Sequence, residues 1–169
     1  MNNIFFNCTS LLSLDLSGFD TRKVSNFNGI FQNCKSLISI NLKSFNTSYT
    51  SNMDSMFEGC EKISSLDLRH FDTKSVTSMR KMFKSCSELE FLDISTFNTE
   101  SVKEMTEMFN SLINLRILDL SSFYTRNIEK YTDIFSGNKE LNIIINKSKN
   151  PKIILNLPEG VIINETDQV

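Results

Sequence analysis

Apolar residues recur along this chain with a period of 26 residues. Within each period a leucine-x-x-leucine-x-leucine spacing appears, and its clearest form is Ile63, Leu66 and Leu68. A phenylalanine opens each period, at Phe5, Phe31, Phe57, Phe83, Phe109 and Phe135. A constant period in this range is typical of a repeat architecture, in which each unit buries its apolar face against its neighbours.

One repeat contains a strand pattern followed by a turn pattern. Residues 63–68 alternate between apolar and polar, as in a short strand with one buried face. Residues 71–73 read Phe-Asp-Thr, and Asp and Thr side chains favour turns because they bond nearby backbone groups. Val76, Met79 and Met82 are then spaced by three, which predicts a short helical or 3₁₀ segment.

These elements predict an α/β fold of the leucine-rich-repeat class. We expect a right-handed solenoid with one short parallel strand per 26-residue coil on the concave face. The short helical or 3₁₀ segments are expected on the convex side. No isolated coil of this length buries enough apolar surface to fold alone, so stability must come from contacts between neighbouring coils.

The repeat pattern predicts two regions along the chain. Residues 1–141 form the repeat array, and residues 142–169 form a degenerate C-terminal cap. The pattern decays after Phe135, because counting by 26 puts Asn146 at the second inward leucine position. Two more apolar runs follow and are predicted to cover the last coil, at 153–157 and 161–163.

The N-terminal end shows no comparable cap. Four residues precede the first repeat, so we expect an open hydrophobic coil with an exposed sheet edge. The opening residues lack the basic region and apolar stretch of a signal peptide, and no apolar run approaches the roughly 18 residues of a membrane span. A cytoplasmic protein and a fragment of a longer one both remain open.

Composition and motifs argue against several function classes. The net charge is −2 and the basic residues are spread through all repeats, whereas nucleic-acid binding usually needs a concentrated basic face. The sequence has no nucleophile turn and no phosphate-binding glycine loop, and its single histidine, His70, has no acid partner at a catalytic spacing. We therefore expect no enzyme activity, no catalytic residues and no cofactor.

Four cysteines occupy the fourth position of successive repeats: Cys8, Cys34, Cys60 and Cys86. Leu112 fills the same position in the next repeat, which indicates a buried apolar slot. No CxxC pair exists, so a zinc site has no support. Two interpretations stay open: reduced structural thiols, or one or two disulfides between adjacent coils, since the coil spacing is close to an allowed Cα separation.

The recurring string M-F-x-x-C-x-x-L-x-x-L-D-L-x-x-F-D-T-x-x-V-x-x-M resembles the BspA-like leucine-rich repeats. Residues 56–79 match it nearly letter for letter, and the likeness covers about residues 4–135. This family includes the 26-residue surface-lipoprotein repeat of AT-rich bacteria and similar proteins of some protists. The resemblance implies a protein displayed on the cell surface or outside the cell, and some members are adhesins for host matrix proteins. The lipoprotein signal itself is not found in this chain.

The outward strand positions are the candidate binding residues. One column is mostly acidic: Asp15, Asn41, Asp67, Asp93 and Asp119. Carboxylates stacked about 5 Å apart repel each other, so the column suits a basic partner or a cation. The alternative is that each acid is solvated or bonds neighbouring groups, and a calcium cage of six to eight oxygens is not evident from one column. No metal site is predicted.

The columns on either side of the acids complete the predicted site. The column before them is serine in the first three repeats and becomes Phe91 and Ile117, which are candidate anchors of a binding patch. Packing against a long side chain is an equal alternative. The column after the acids contains Lys43 and Arg69, which are expected either to contact a ligand or to neutralise the neighbouring acids.

These observations predict a non-enzymatic protein–protein interaction module. The first hypothesis is an adhesin-type repeat protein whose partner, a host matrix or surface protein, docks on the concave face. The alternative is a structural spacer or a self-assembling array that stacks through its open N-terminal end.

Overall fold

The computed structural model describes residues 1–154, 157 and 162–165. The predicted cap at 142–169 therefore lies partly outside the described residues, and so does part of its apolar run 161–163. The described strands are short: β1 (Ser13–Asp15), β2 (Ser39–Asn41), β3 (Ser65–Leu66), β4 (Phe91–Leu92), β5 (Ile117–Asp119), β6 (Asn142–Ile145) and β7 (Ile162–Glu165). A four-residue helix, α1 (Pro151–Ile154), lies between β6 and β7 in the chain.

The strands pair in parallel, one from each repeat. Residues at the same position in adjacent repeats are partners, such as Ser13 with Ser39 and Ser65 with Phe91. In the described part of the chain the strands form three separate small sheets, β1–β2, β3–β4 and β5–β6–β7. The predicted short parallel strands are confirmed, and the fold is leucine-rich-repeat-like.

A second backbone ladder connects the repeats on the side opposite the strands. Alternate N–H groups donate to carbonyls 25 residues later, one coil further along the stack, as from Phe57 to Met82 at 2.9 Å and from Gly59 to Lys84 at 2.8 Å. The N–H groups between them close turns within the repeat instead, as from Cys60 to Phe57 at 3.0 Å. We call this the turn-side ladder. Parallel bridges continue it through five repeats, at Asn26, Asn52, Ser78, Glu104 and Lys130.

The turn-side ladder replaces the predicted helical or 3₁₀ segments, and that prediction is wrong for the described repeats. Two residues with positive φ, four positions apart, flank the opening phenylalanine of each repeat, such as Ser55 at 52° and Gly59 at 70° on either side of Phe57. A right-handed helix does not accommodate these left-handed residues, whereas a type II turn requires a positive φ at its third residue. The pattern recurs in all six repeats: Asn3 and Asn7, Gly29 and Asn33, Ser55 and Gly59, Lys81 and Ser85, Glu107 and Ser111, Asp133 and Gly137.

A stack of phenylalanine rings runs through the core between the strands and the turn-side ladder. Phe57 lies 5.5 Å from Phe31 and 6.0 Å from Phe83, measured between ring centroids, with the planes within 20° of parallel. The stack continues to Phe5, Phe109 and Phe135 at similar distances. Such offset pairs contribute about 0.5–1.5 kcal/mol each beyond the burial of their area.

Buried polar groups are satisfied by bonds between repeats. In the Phe-Asp/Asn-Thr turns, the threonine hydroxyl donates to a carbonyl of the next repeat, as from Thr73 to Asn98 at 2.9 Å. The same hydroxyl accepts the Asn98 N–H at 2.8 Å. The threonine column is buried throughout, at Thr21, Thr47, Thr73, Thr99 and Thr125. The threonine therefore ties adjacent repeats together as well as forming the turn.

The buried cysteines also tie adjacent repeats together. All four cysteines are free, and the thiols of Cys34, Cys60 and Cys86 each donate to the opening phenylalanine carbonyl of the preceding repeat. Burial raises the pKa of Cys86 to about 12, so it stays protonated. In the sixth repeat the Asn138 amide takes over this bond, donating to the Phe109 carbonyl at 2.7 Å.

The sixth repeat is one residue shorter than the others. Leu118 pairs with Ile143, a separation of 25 residues, and Ile143 and Ile145 are both fully buried. Asn146 is therefore not at an inward leucine position, which corrects the prediction made by counting in steps of 26. Instead Asn150 is buried in the place of the threonine, where its amide donates to the Leu120 and Phe123 carbonyls.

Interruption of the phenylalanine stack should destabilise the fold. Phe83→Ala removes a fully buried ring between two stacked neighbours, so we expect a loss of about 3–5 kcal/mol in the free energy of unfolding. Phe91→Ala is the matched control, because its ring is 65% exposed, and we expect a change within about 0.5 kcal/mol. Urea unfolding followed by circular dichroism measures both, and equal losses would contradict this account of the core.

A side chain added at a left-handed glycine should destabilise the fold. At Gly59, with φ at 70°, an added Cβ would lie 2.5 Å from Asn33 Oδ1, so we expect Gly59→Ala to lower the free energy of unfolding by about 1–2 kcal/mol. Gly18 is the matched control, since an added Cβ meets no atom within 4 Å. A stable Gly59→Ala protein in urea unfolding would show that the turn-side ladder does not constrain this residue.

Candidate interaction surface

The predicted site residues lie together on the exposed side of the strands. Strand alternation buries Leu66, Leu92 and Leu118, and points the residues on either side of them away from the core. The stacking of repeats then aligns these outward residues in columns, as the sequence predicts. We call this surface the strand face, comprising the columns that begin at Ser13, Asp15 and Ser17.

Each acid of the central column ends its strand by accepting the N–H of the residue two positions later. Asp93 Oδ1 accepts from Ser95 N at 3.1 Å, and Asp119 Oδ1 accepts from Ser121 N at 2.8 Å. Asn41 does the same for Lys43 and also donates to Asp15 Oδ1 at 3.0 Å. These are the local bonds that make Asp and Asn favourable at turns. This column thus has a structural role in each of the first five repeats.

Hydrogen bonds favour the ionised form of three of these carboxyls, those of Asp15, Asp67 and Asp93. The pKa of Asp15 is lowered, chiefly by the Ser17 N–H, and the pKa of Asp93 is lowered, chiefly by the Ser95 hydroxyl. The Arg69 guanidinium lowers the pKa of Asp67 by hydrogen bonding. A lowered pKa means that the negative charge is present at neutral pH and is lost only in strong acid.

Arg69 neutralises an acid of its own repeat. Its Nε and Nη2 atoms donate to the two Asp67 carboxylate oxygens at 3.0 and 3.1 Å. His70 is exposed beside this pair, with Nε2 2.9 Å from the Leu42 carbonyl, so it has a local surface role. Within the described residues, no group of three or more His, Cys, Asp or Glu side chains is arranged to hold a metal ion.

Phe91 and Ile117 are the exposed apolar residues of the strand face in repeats four and five. Phe91 is 65% exposed and Ile117 is 59% exposed. They line a cleft of about 340 Å³ together with Glu90, Asp93, Arg116 and Asp119, and we call it the repeat 4–5 cleft. Phe91 also forms a wall of the neighbouring hollow that contains Asp67 and Arg69. The structure therefore brings together the predicted anchors and the predicted acids.

The other predicted residues border shallower hollows of the same face. Asp15 and Asn41 line one hollow between β1 and β2. Lys43 and Arg69 line another, next to His70. These hollows are more open and more polar than the repeat 4–5 cleft, so they offer less contact area to an apolar group.

Four residues of this surface are not among the binding residues predicted from the sequence. Glu90 and Arg116 line the repeat 4–5 cleft, although they precede the outward strand positions. Leu12 and Ile38 form a second exposed apolar pair in repeats one and two, with exposures of 60% and 58%. These four residues share a single repeat column, in which apolar, acidic and basic side chains replace one another, and that variability was the available signal.

The parallel pairing of one short strand from each repeat defines a leucine-rich-repeat-like fold. The family model described as "Mycoplasma protein of unknown function, DUF285" matches residues 1–91 and 66–155, which together cover most of the chain. The chain therefore belongs to this family, and the match supports the BspA-like leucine-rich resemblance.

Other comparisons gave one solved structure and no curated relative. The crystal structure of a leucine-rich repeat protein from Bacteroides ovatus is 14% identical, with a TM-score of 0.39. It is matched over 99% of this chain and 55% of its own, so the chain spans about half the length of that protein. No curated protein matches this chain. Within the described residues, no helix has the length and apolar character needed to cross a membrane.

Proposed function

We propose that this chain is a non-enzymatic, adhesin-type binding module displayed on the cell surface, and that its partner is a host matrix or surface protein. The stacked repeats would form a right-handed solenoid with the strand face on its concave side, since parallel strand crossovers are right-handed in about 98% of cases. Surface display is carried over from the BspA-like resemblance.

The observation that carries this proposal is that each repeat has constant residues on its buried side and variable residues on its exposed strand face. Inward residues are almost constant from repeat to repeat and fully buried, such as Phe57, Phe83 and Phe109. Outward residues of the strand face vary between serine, apolar, acidic and basic types. A rigid frame that carries variable outward side chains is how repeat proteins present extended binding surfaces.

The repeat 4–5 cleft is the strongest candidate for the centre of the interface. Hot spots of protein interfaces are large apolar or aromatic residues in pockets, and their surroundings exclude water. Phe91 and Ile117 supply that chemistry, and at 65% and 59% exposure they remain accessible to a partner. Arg69 and Lys43 extend the surface toward repeat two with charged groups suited to the rim of an interface.

The experiment is a binding assay of the full chain against purified matrix proteins, namely fibronectin, laminin and collagen, by biolayer interferometry. For a binder, we expect Phe91→Asp and Ile117→Asp each to weaken binding by roughly 30-fold or more, as hot-spot losses of about 2 kcal/mol imply. Tyr49→Asp is the matched control, because Tyr49 is 72% exposed but lies outside the strand face, and its binding should be unchanged. Binding that is insensitive to both strand-face substitutions would refute the proposed surface.

A second candidate function is self-association through the N-terminal repeat, as in a structural spacer. Phe5 and Leu11 are only partly buried and Cys8 is exposed, whereas the equivalent Phe31, Leu37 and Cys34 are fully buried. Ile4 and Phe6 add further exposed apolar surface at this end, each at 49%. A second copy would cover this area by extending the apolar stack.

Light scattering over a wide concentration range tests the second candidate. If the N-terminal repeat is an interface between copies, the mass should rise with concentration, and Ile4→Asp with Phe6→Asp should restore the monomer because both would bury charge. Tyr49→Asp again serves as the control and should leave the association unchanged. A monomer at every concentration would exclude the spacer hypothesis and leave the binding module.

A further inference from the structure

Repeats four and five differ from repeats two and three in the two columns that flank the acid column of the strand face. The column before the acids changes from Ser39 and Ser65 to Phe91 and Ile117, so apolar groups appear. The column after the acids changes from lysine and arginine to two serines, so cations disappear: Lys43 and Arg69 are replaced by Ser95 and Ser121. The two changes fall in the same repeats and therefore act on the same piece of surface.

The loss of the cations leaves two carboxylates with unused binding capacity. In repeat three, Arg69 occupies both oxygens of Asp67. In repeats four and five, the bonds to Asp93 and Asp119 come from neutral groups of Ser95 and Ser121, and all of them end on Oδ1. Among the described residues, no donor reaches the Oδ2 atom of either acid. Both acids can therefore accept further charge-assisted bonds.

The repeat 4–5 cleft carries a surplus of negative charge. Glu90, Asp93 and Asp119 line it against a single cation, Arg116. That cation is already paired, because Arg116 Nη1 donates to Glu140 at 2.6 Å. An apolar hollow of about 340 Å³, large enough for one bulky side chain, is therefore bordered by carboxylates that lack cationic partners within their own repeats.

We propose that the repeat 4–5 cleft binds a protein segment in which a large apolar side chain is flanked by lysine or arginine. The apolar side chain would lie in the hollow against Phe91 and Ile117, and the flanking cations would bond Asp93 and Asp119. This inference rests on the proposed binding function and adds the chemical class of the partner. Electrostatic complementarity of this kind contributes selectivity against acidic segments as well as affinity.

The probes are three short peptides that differ only in their flanking residues. Each peptide has the sequence Gly-X-Phe-X-Gly, in which both X residues are lysine, serine or glutamate. Titration of the ¹⁵N-labelled full chain, followed by NMR, reports both the affinity and the residues that are contacted. We expect shifts at residues 90–95 and 116–119 and a dissociation constant about fivefold lower for the lysine peptide than for the serine peptide, because exposed ion pairs contribute up to about 1 kcal/mol.

Two further measurements separate charge recognition from apolar contact. Sodium chloride at about 0.5 M should reduce the lysine preference, because screening acts on exposed pairs. Ser95→Arg should also reduce the preference, since it installs the cation that Arg69 supplies in repeat three. Ser17→Arg is the matched control, because it changes the same column in repeat one, and it should leave the preference intact.

Each outcome bears on the proposal. A lysine preference of about fivefold that disappears in Ser95→Arg and persists in Ser17→Arg supports it. Equal binding of all three peptides in the cleft overturns the charge inference and leaves the proposed binding module standing. The absence of shifts in the cleft with every peptide overturns the inference as well, and the matrix-protein assay then decides the proposed function separately.

Discussion

The turn-side ladder is the interaction on which the rest of this structure depends. The strands are two to four residues long and form three separate sheets among the described residues, so strand pairing alone does not join all the repeats. The bridges of the turn-side ladder run through five repeats without a break. The opening phenylalanine of each of the first five repeats is itself a member of the ladder, so its N–H bond to the next coil also sets the ring spacing of the core stack.

The ladder explains the residue types that recur on its side. Alternate N–H groups must point toward the next repeat, and the chain achieves this by adopting two left-handed residues per repeat. Asn and Gly occupy several of these positions at little cost, whereas Lys81 and Glu107 adopt the same conformation at a higher cost. The stacking bonds of the neighbouring repeats compensate for that cost. Backbone bonding therefore outweighs local preference here.

The sequence predicts the parts of the fold that depend on side-chain burial. The period, the parallel strands, the phenylalanine columns and the buried cysteine slot all follow from apolar spacing. The turn-side ladder does not, because apolar residues three apart, such as Val76, Met79 and Met82, are equally compatible with a helix and with stacked turns. The shortening of the sixth repeat was hidden for a related reason: Leu141 keeps the 26-residue spacing from Leu115, and the missing residue falls after it.

The sequence predicts the position of the candidate site, but it predicts the chemistry of that site only in part. Columns of outward residues follow directly from the period, so the alignment of Asp67, Asp93 and Asp119 was expected. Whether each acid is bonded to a cation depends on the residue two positions later, which is an arginine in the third repeat and a serine in the next two. Asp67 is therefore bonded to a cation, whereas Asp93 and Asp119 are bonded only to neutral groups, although the charge of Arg69 also lowers the pKa of Asp93.

Because the stabilising contacts are buried, the exposed strand face can change in sequence without loss of the fold. Phe91 pairs in register with Ser65, so the same strand position accommodates a serine and a phenylalanine. The turn-side ladder, the phenylalanine stack and the buried threonines hold the repeats together without the side chains of Phe91 or Ile117. Substitutions at these two positions therefore change the exposed surface while the stacking energy stays nearly constant. A repeat protein built in this way is free to acquire an exposed apolar pair in two adjacent repeats, because neither repeat relies on those two side chains for its stability.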